Sequence, residues 1–117
     1  MTAPNIIQTT SIIGRTGSVE DITTNTSGST ILSNGASTDT VLKINTVVAS
    51  NITTGAVEVS LMYQTAFIIK DAEIPPGATI ALLGKDTPLY LEENTSLKAY
   101  SNTANAVDVI VSYEEIS

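Results

Sequence analysis

The chain has 117 residues and a mass of 12.2 kDa, enough for one hydrophobic core and not for two. Twelve Asp and Glu against five Lys and Arg give a formal charge of −7, which repels nucleic-acid phosphates. The absence of Cys and His removes disulfides, thiolate metal sites and the usual nucleophile–base pairs. Apolar residues make up 42%, but only four Tyr and one Phe are among the aromatics, so the core has to be Val, Ile, Leu and Ala packed between thin sheets.

Residues 1–28 are rich in Thr, Ser, Asn and Gly and hold two apolar pairs, Ile6-Ile7 and Ile12-Ile13, too small to seed a core. Two readings stand: a frayed terminus, or an extended arm that adds as a strand to a neighbouring subunit with Ile6, Ile7, Ile12 and Ile13 as its contact residues. The folded domain then spans residues 29–117. No basic and apolar blocks of a secretion signal open the chain, and no run approaches the length of a membrane span. The expectation is a soluble product of the cytoplasm that binds neither membrane nor nucleic acid.

From Ser29 the pattern changes. Thr30-Ile31-Leu32 leads to Asn34-Gly35, a dipeptide that tolerates positive φ and signals a two-residue edge hairpin. Residues 40–50 alternate, with Leu42, Ile44 and Val48 on one face and Lys43, Asn45 and Val47 on the other. Residues 56–63 resume with Val57, Val59, Leu61 and Tyr63 inward, and the short connection at 51–55 predicts that these two runs pair as an antiparallel hairpin. Residues 65–70 lack clean alternation, which fits a strand covered on both faces, a strand with a bulge, or a short helix.

Ile74-Pro75-Pro76-Gly77 predicts a type II turn, with Pro76 presetting φ and Gly77 taking the positive φ. Strands follow at 78–83, with Ile80 and Leu82 sharing a face, at 88–91, at 96–101 with Leu97 and Ala99 together, and from Ala106 to about Glu114 with Val107, Val109, Val111 and Tyr113 together. Turns at 84–87, 92–95 and 102–105 separate them. Short strands cut by turns at regular spacing predict an all-β antiparallel sandwich of about eight strands, jelly-roll or Ig-like.

The chemistry-bearing residues read mostly as surface. Glu92-Glu93 and Glu114-Glu115 sit beside turns or at the chain end, where solvated charge is the ordinary reading for a carboxylate pair. Asp71, Glu73, Asp86 and those pairs could gather oxygens around Ca²⁺, yet no EF-hand-type loop is written. Gly14, Gly17, Gly28, Gly35 and Gly84 do not form a phosphate-binding loop, and the Asn-x-Ser/Thr triplets at 25, 51 and 94 follow from composition. No catalytic residue, cofactor or metal is expected.

The runs KDAEIPPGATIALL at 70–83 and PLYLEENTSLKAYSNTANAVDVIVSYEEIS at 88–117, with VLKINTVVASNITTGAVEVSLMY at 41–63, resemble small virion proteins of tailed bacteriophages of aquatic bacteria. The shared features are the Pro-Gly turn after Ile74-Pro75, the turn following Tyr90-Leu91, and the closing alternation into Ser112-Tyr113. Residues 1–40 lie outside the resemblance. It implies a structural part of the particle, a capsid decoration (cement) subunit that self-associates and sits on the major capsid protein, or else a neck or tail ring or fibre-attachment component. A carbohydrate- or receptor-binding sandwich, with Tyr63, Tyr90 and Tyr100 as platforms, is the reading from another class.

Overall fold

The structure is a computed structural model that describes residues 11–117. Strands and turns make up its regular structure, in the order β1 (Ile12–Val19), β2 (Ser29–Asn34), β3 (Val41–Asn51), β4 (Val57–Tyr63), β5 (Ala66–Ile74), β6 (Thr79–Leu83), β7 (Leu89–Leu91), β8 (Thr95–Ser101) and β9 (Val107–Ile116). The abundant Val, Ile and Thr explain the choice, because a branched side chain packs well on a pleated surface and restricts χ1 in a helix. Of residues 65–70, for which the pattern allows a helix, Thr65 lies in the turn after β4 and residues 66–70 belong to β5.

Two antiparallel sheets pack face to face. One is five-stranded, in the order β1-β9-β3-β6 with β7 also on β3; the other is four-stranded, β2-β8-β4-β5. The short strands β6 and β7 share one edge of β3, against residues 47–50 and 42–44 respectively, so they act as one strand interrupted by the turn at 84–87. Counted so, the pairs β1–β9, β2–β8, β3–β6/β7 and β4–β5 are those of one long antiparallel ribbon wrapped around a core. That connectivity is a jelly roll, which decides between the two sandwich types.

Two pairings expected from the sequence are absent. β3 and β4 do not form a hairpin: β3 lies in the five-stranded sheet and β4 in the four-stranded one, and residues 52–56 cross between them. Asn51 sets this crossing. Its buried side chain donates from Nδ2 to the carbonyls of Gly55 (2.7 Å), Ile74 (3.0 Å) and Pro75 (3.2 Å), while Oδ1 accepts from the Thr53 N–H and hydroxyl. Likewise Asn34-Gly35 makes no hairpin, because β2 pairs with β8 and the chain then crosses to β3. The Asn34 side chain is 4% exposed and donates to the carbonyls of Thr40 (2.6 Å) and Leu91 (3.0 Å), tying the crossing at 35–40 to the end of β7.

The inner faces supply the core. Ile44, Val47 and Ala49 of β3 and Val107, Val109 and Val111 of β9 meet Val57, Val59 and Leu61 of β4 and Leu97 and Ala99 of β8, all buried. Ile22, from the connection between β1 and β2, is also buried there, and its N–H donates to the Val107 carbonyl. On β3 the expected phase holds only as far as Ile44. Asn45 is an extra residue, since Ile44 faces Tyr113 and Thr46 faces Ser112, so Val47 turns inward and Val48 outward, the reverse of strict alternation.

The turn at 75–78 forms as expected, with Gly77 at φ 69° and the Ala78 N–H on the Pro75 carbonyl. On the edge strand β5 the broken alternation has its cause in bulges. Ser60 of β4 faces both Lys70 and Asp71; Asp71 takes φ 54° and donates its N–H to the Ser60 hydroxyl.

Candidate functional site

With the inner faces consumed by the core, whatever the molecule recognises has to be read from edges and outer faces. Four edges are open to consider: β1 and β6/β7 in one sheet, β2 and β5 in the other. The β1 edge carries two of the expected contact residues. Ile12 and Ile13 are 60% and 43% exposed, although the strand is fully registered on β9, from Ile12 opposite Ile116 to Val19 opposite Val109. The segment expected to reach a neighbouring subunit is therefore, from Ile12 onward, a strand of the chain's own sheet. Ile6 and Ile7 lie outside the described residues.

Around that edge the outer face of the five-stranded sheet is short-chained and neutral. Successive cross-strand rows read Thr16, Ser112, Thr46 and then Ser18, Ile110, Val48, Ala81, with Ile110 exposed. On this face Lys43 Nζ lies 3.9 Å from Glu114 Oε1; the closer pair, Arg15 Nε to Glu115 Oε2 at 2.8 Å, is on the alternate residues of β1 and β9, which share the side of Tyr113 and Val111. Among the described residues no second strand pairs with β1, and an unpaired strand edge is what permits edge-to-edge association.

The four-stranded sheet presents something different. Across β2, β8, β4 and β5 one row reads Thr30, Lys98, Met62, Phe67, and the next places Tyr100 opposite Ser60, with Lys70 alongside. Phe67 is half exposed and meets the Tyr100 ring edge-on, at 6.3 Å between centroids and 77° between planes, while Lys70 Nζ lies 5.2 Å from the Phe67 ring centre. Beside Phe67 is a depression of about 380 Å³, with Met62 as its floor and Lys98, Gln64 and Ser27 on its sides. Among the described residues neither Lys70 nor Lys98 has a carboxylate within ion-pair distance.

The rim of this depression is held by its backbone. Gly28 takes φ 86°, and a Cβ there would come within 3.0 Å of both Met62 Cε and Lys98 Cβ, so only glycine lets the 24–28 loop lie this close over the sheet. Opposite it, Gln64 sits at φ 57° in the two-residue connection from β4 to β5, where its Oε1 accepts from the Ser96 N–H (3.0 Å) and hydroxyl (3.2 Å).

The expected aromatic platform is not assembled: Tyr63 packs partly buried against the core, Tyr90 is on β7 in the other sheet, and Tyr100 alone of the three is on this face. Phe67 and Lys98 carry no local sequence signal as site residues. Their joint placement depends on the β8-β4-β5 order, which local spacing does not encode. The acidic residues do not converge either, and among the described residues no group of three or more Asp or Glu is arranged to hold a metal ion. A second, smaller hollow of about 210 Å³ lies at the crossing from β2 to β3, and the Asn34 amide that lines it is already spent on Thr40 and Leu91.

No family model matches this chain, and no curated protein matches it at a significant level.

Proposed function

We propose that the chain is a structural subunit of a bacteriophage particle, a decoration protein that binds at junctions of the capsid shell and associates with copies of itself. The observation that carries the reading is the β1 edge, an eight-residue strand at the end of its sheet, with no second strand on it among the described residues and with Ile12 and Ile13 exposed. Such an edge accepts a partner strand through backbone hydrogen bonds, and the two Ile side chains add apolar area. The likeness of residues 41–117 to small virion proteins supports the setting. Mechanistically the subunit works by mass action, since a protein that binds the assembled shell and not its separated parts stabilises the shell by its binding free energy, and many repeated sites multiply the effect.

The test is attachment to particles by Ile12→Asp/Ile13→Asp. Deleting residues 1–28 is a poorer test because it also removes Ile22, which is 1% exposed in the core. The double substitution is expected to leave thermal unfolding unchanged and to abolish both attachment and self-association. Full attachment by the folded variant overturns the role of this edge. Copy number then separates decoration from a neck or tail ring: a chain found at a single vertex, in a handful of copies, belongs to the latter.

A further inference from the structure

The outer face of the four-stranded sheet has features that the particle reading leaves unused. Its exposed aromatic, Phe67, lies on an edge strand, where a large apolar side chain on the solvent side contributes little to the core. The two lysines beside it are two of only five basic residues in a chain of charge −7, and among the described residues neither has a carboxylate partner of the kind that Arg15 and Lys43 possess. This is a local positive field on a negative molecule, next to a concave apolar floor.

We propose that this face is a binding site for a carboxylated sugar residue, such as a uronic acid unit of an acidic polysaccharide. The apolar C–H face of a pyranose ring would pack on the Phe67 ring, with Tyr100 holding that ring edge-on, and the carboxylate would meet Lys98 and Lys70. At the sides of the depression the Gln64 amide is held by Ser96 and Asn94 and the Ser27 hydroxyl by Asn25, so these side chains shape the site, while the ring stacking and the lysines supply the recognition. The volume of about 380 Å³ lies at the lower end of the range for small-molecule sites, enough for one or two rings and not for a folded partner.

Charge selects among anions. Along β4 and β5 the face continues to Asp71, whose Oδ1 lies 3.4 Å from the Ser60 hydroxyl, and to Glu58 opposite Glu73, so a densely charged polyphosphate running the length of the strands would exchange two lysines for three carboxylates. One carboxylate per ring, spaced by neutral sugar, meets the lysines and avoids the glutamates. The site lies on the opposite sheet from the β1 edge, so a subunit gripping its neighbours through that edge keeps this face outward.

The experiment is a titration of the isotopically labelled full-length chain with oligogalacturonate, followed by amide NMR shifts, beside its neutral methyl ester and poly-L-glutamate. Oligogalacturonate is expected to move the amides of Met62, Phe67 and Lys98, with an affinity that falls as salt rises. Phe67→Ala and Lys98→Gln are each expected to weaken binding by about tenfold, and the methyl ester to bind about tenfold more weakly than the acid. Phe67→Tyr, which keeps the ring, should bind as the parent does and guards against misfolding as the cause of a loss. The proposal is overturned by absence of binding at millimolar sugar, by equal binding of the methyl ester, by shifts confined to the other sheet, or by poly-L-glutamate binding as tightly, which would make the face a dock for acidic polypeptide. No particle enters this measurement, so its failure and the failure of the decoration reading are separate results.

Discussion

The two sheets are built alike on the inside and unlike on the outside. Inward, both present buried Val, Leu, Ile and Ala at alternate positions; outward, one is mostly Thr, Ser, Val and Ile, with Lys43 paired to Glu114 and Tyr90 exposed on β7, and the other carries Phe67, Tyr100 and two lysines that have no carboxylate partner among the described residues. The inner faces are constrained by packing, where each side chain meets a fixed space. The outer faces carry no such constraint, so their divergence is where recognition is written.

Equivalence of the inner faces is open to direct attack. Ile44→Ala in one sheet and Leu61→Ala in the other, both at 0% exposure, are each expected to cost about 2–5 kcal/mol, read as the shift in urea midpoint at constant slope. A cost several-fold larger in one sheet would show that the core is not shared evenly.

Next in size are the crossings. Asn51→Ala removes a donor from three carbonyls, of which Pro75 keeps the Ala78 N–H and Gly55 the Thr53 hydroxyl, and also the acceptor for Thr53, while Asn34→Ala removes a donor from two carbonyls and the acceptor for the Thr38 hydroxyl, so losses of about 2–4 and about 1–3 kcal/mol are expected, with Asn51 the larger. Calorimetric melting temperatures of the two variants check the order, and an inverted order would mean that the crossing into the four-stranded sheet is held by packing.

These two asparagines also mark the limit of what could be read beforehand. Alternation over residues 40–50, 56–63 and 106 to about 114 marks β3, β4 and β9 to within one or two residues, with the inward sets Val57, Val59, Leu61 and Val107, Val109, Val111, because a half-buried strand repeats every two residues whatever its partner. Which strands pair is a non-local matter. A five-residue connection serves a hairpin or an arch between sheets equally well, and the difference rests on Asn51 reaching Ile74 and Pro75, more than twenty positions away. The extra residue at Asn45, which reverses the faces of Val47 and Val48, is likewise visible only once β9 lies alongside. For the sites the same division holds: the apolar pair Ile12-Ile13 stood out locally, whereas Phe67, Lys98 and Tyr100 come from three strands and become neighbours only through the sheet order.

Substitutions on the outer faces are expected to change binding with almost no change in stability. Ile12→Asp/Ile13→Asp should shift stability by no more than about 0.5 kcal/mol, since exposed positions rarely do more. Sedimentation velocity of the parent and the variant checks whether association goes while the fold stays.

The smallest effect is also the most discriminating. The Arg15–Glu115 pair is close, but its side chains are 47% and 35% exposed, so water and salt screen it and Glu115→Gln is expected to cost about 0–1 kcal/mol, less in high salt. Lys70→Gln removes a cation over Phe67 and no ion pair, so its cost should be about 0.5 kcal/mol or less. The contrast between a paired and an unpaired charge requires that Glu115 matter to the fold at least as much as Lys70 does. If chemical denaturation showed Lys70→Gln to be the more damaging, that lysine would be committed to holding Phe67 in place, and its charge would no longer be free to meet a ligand.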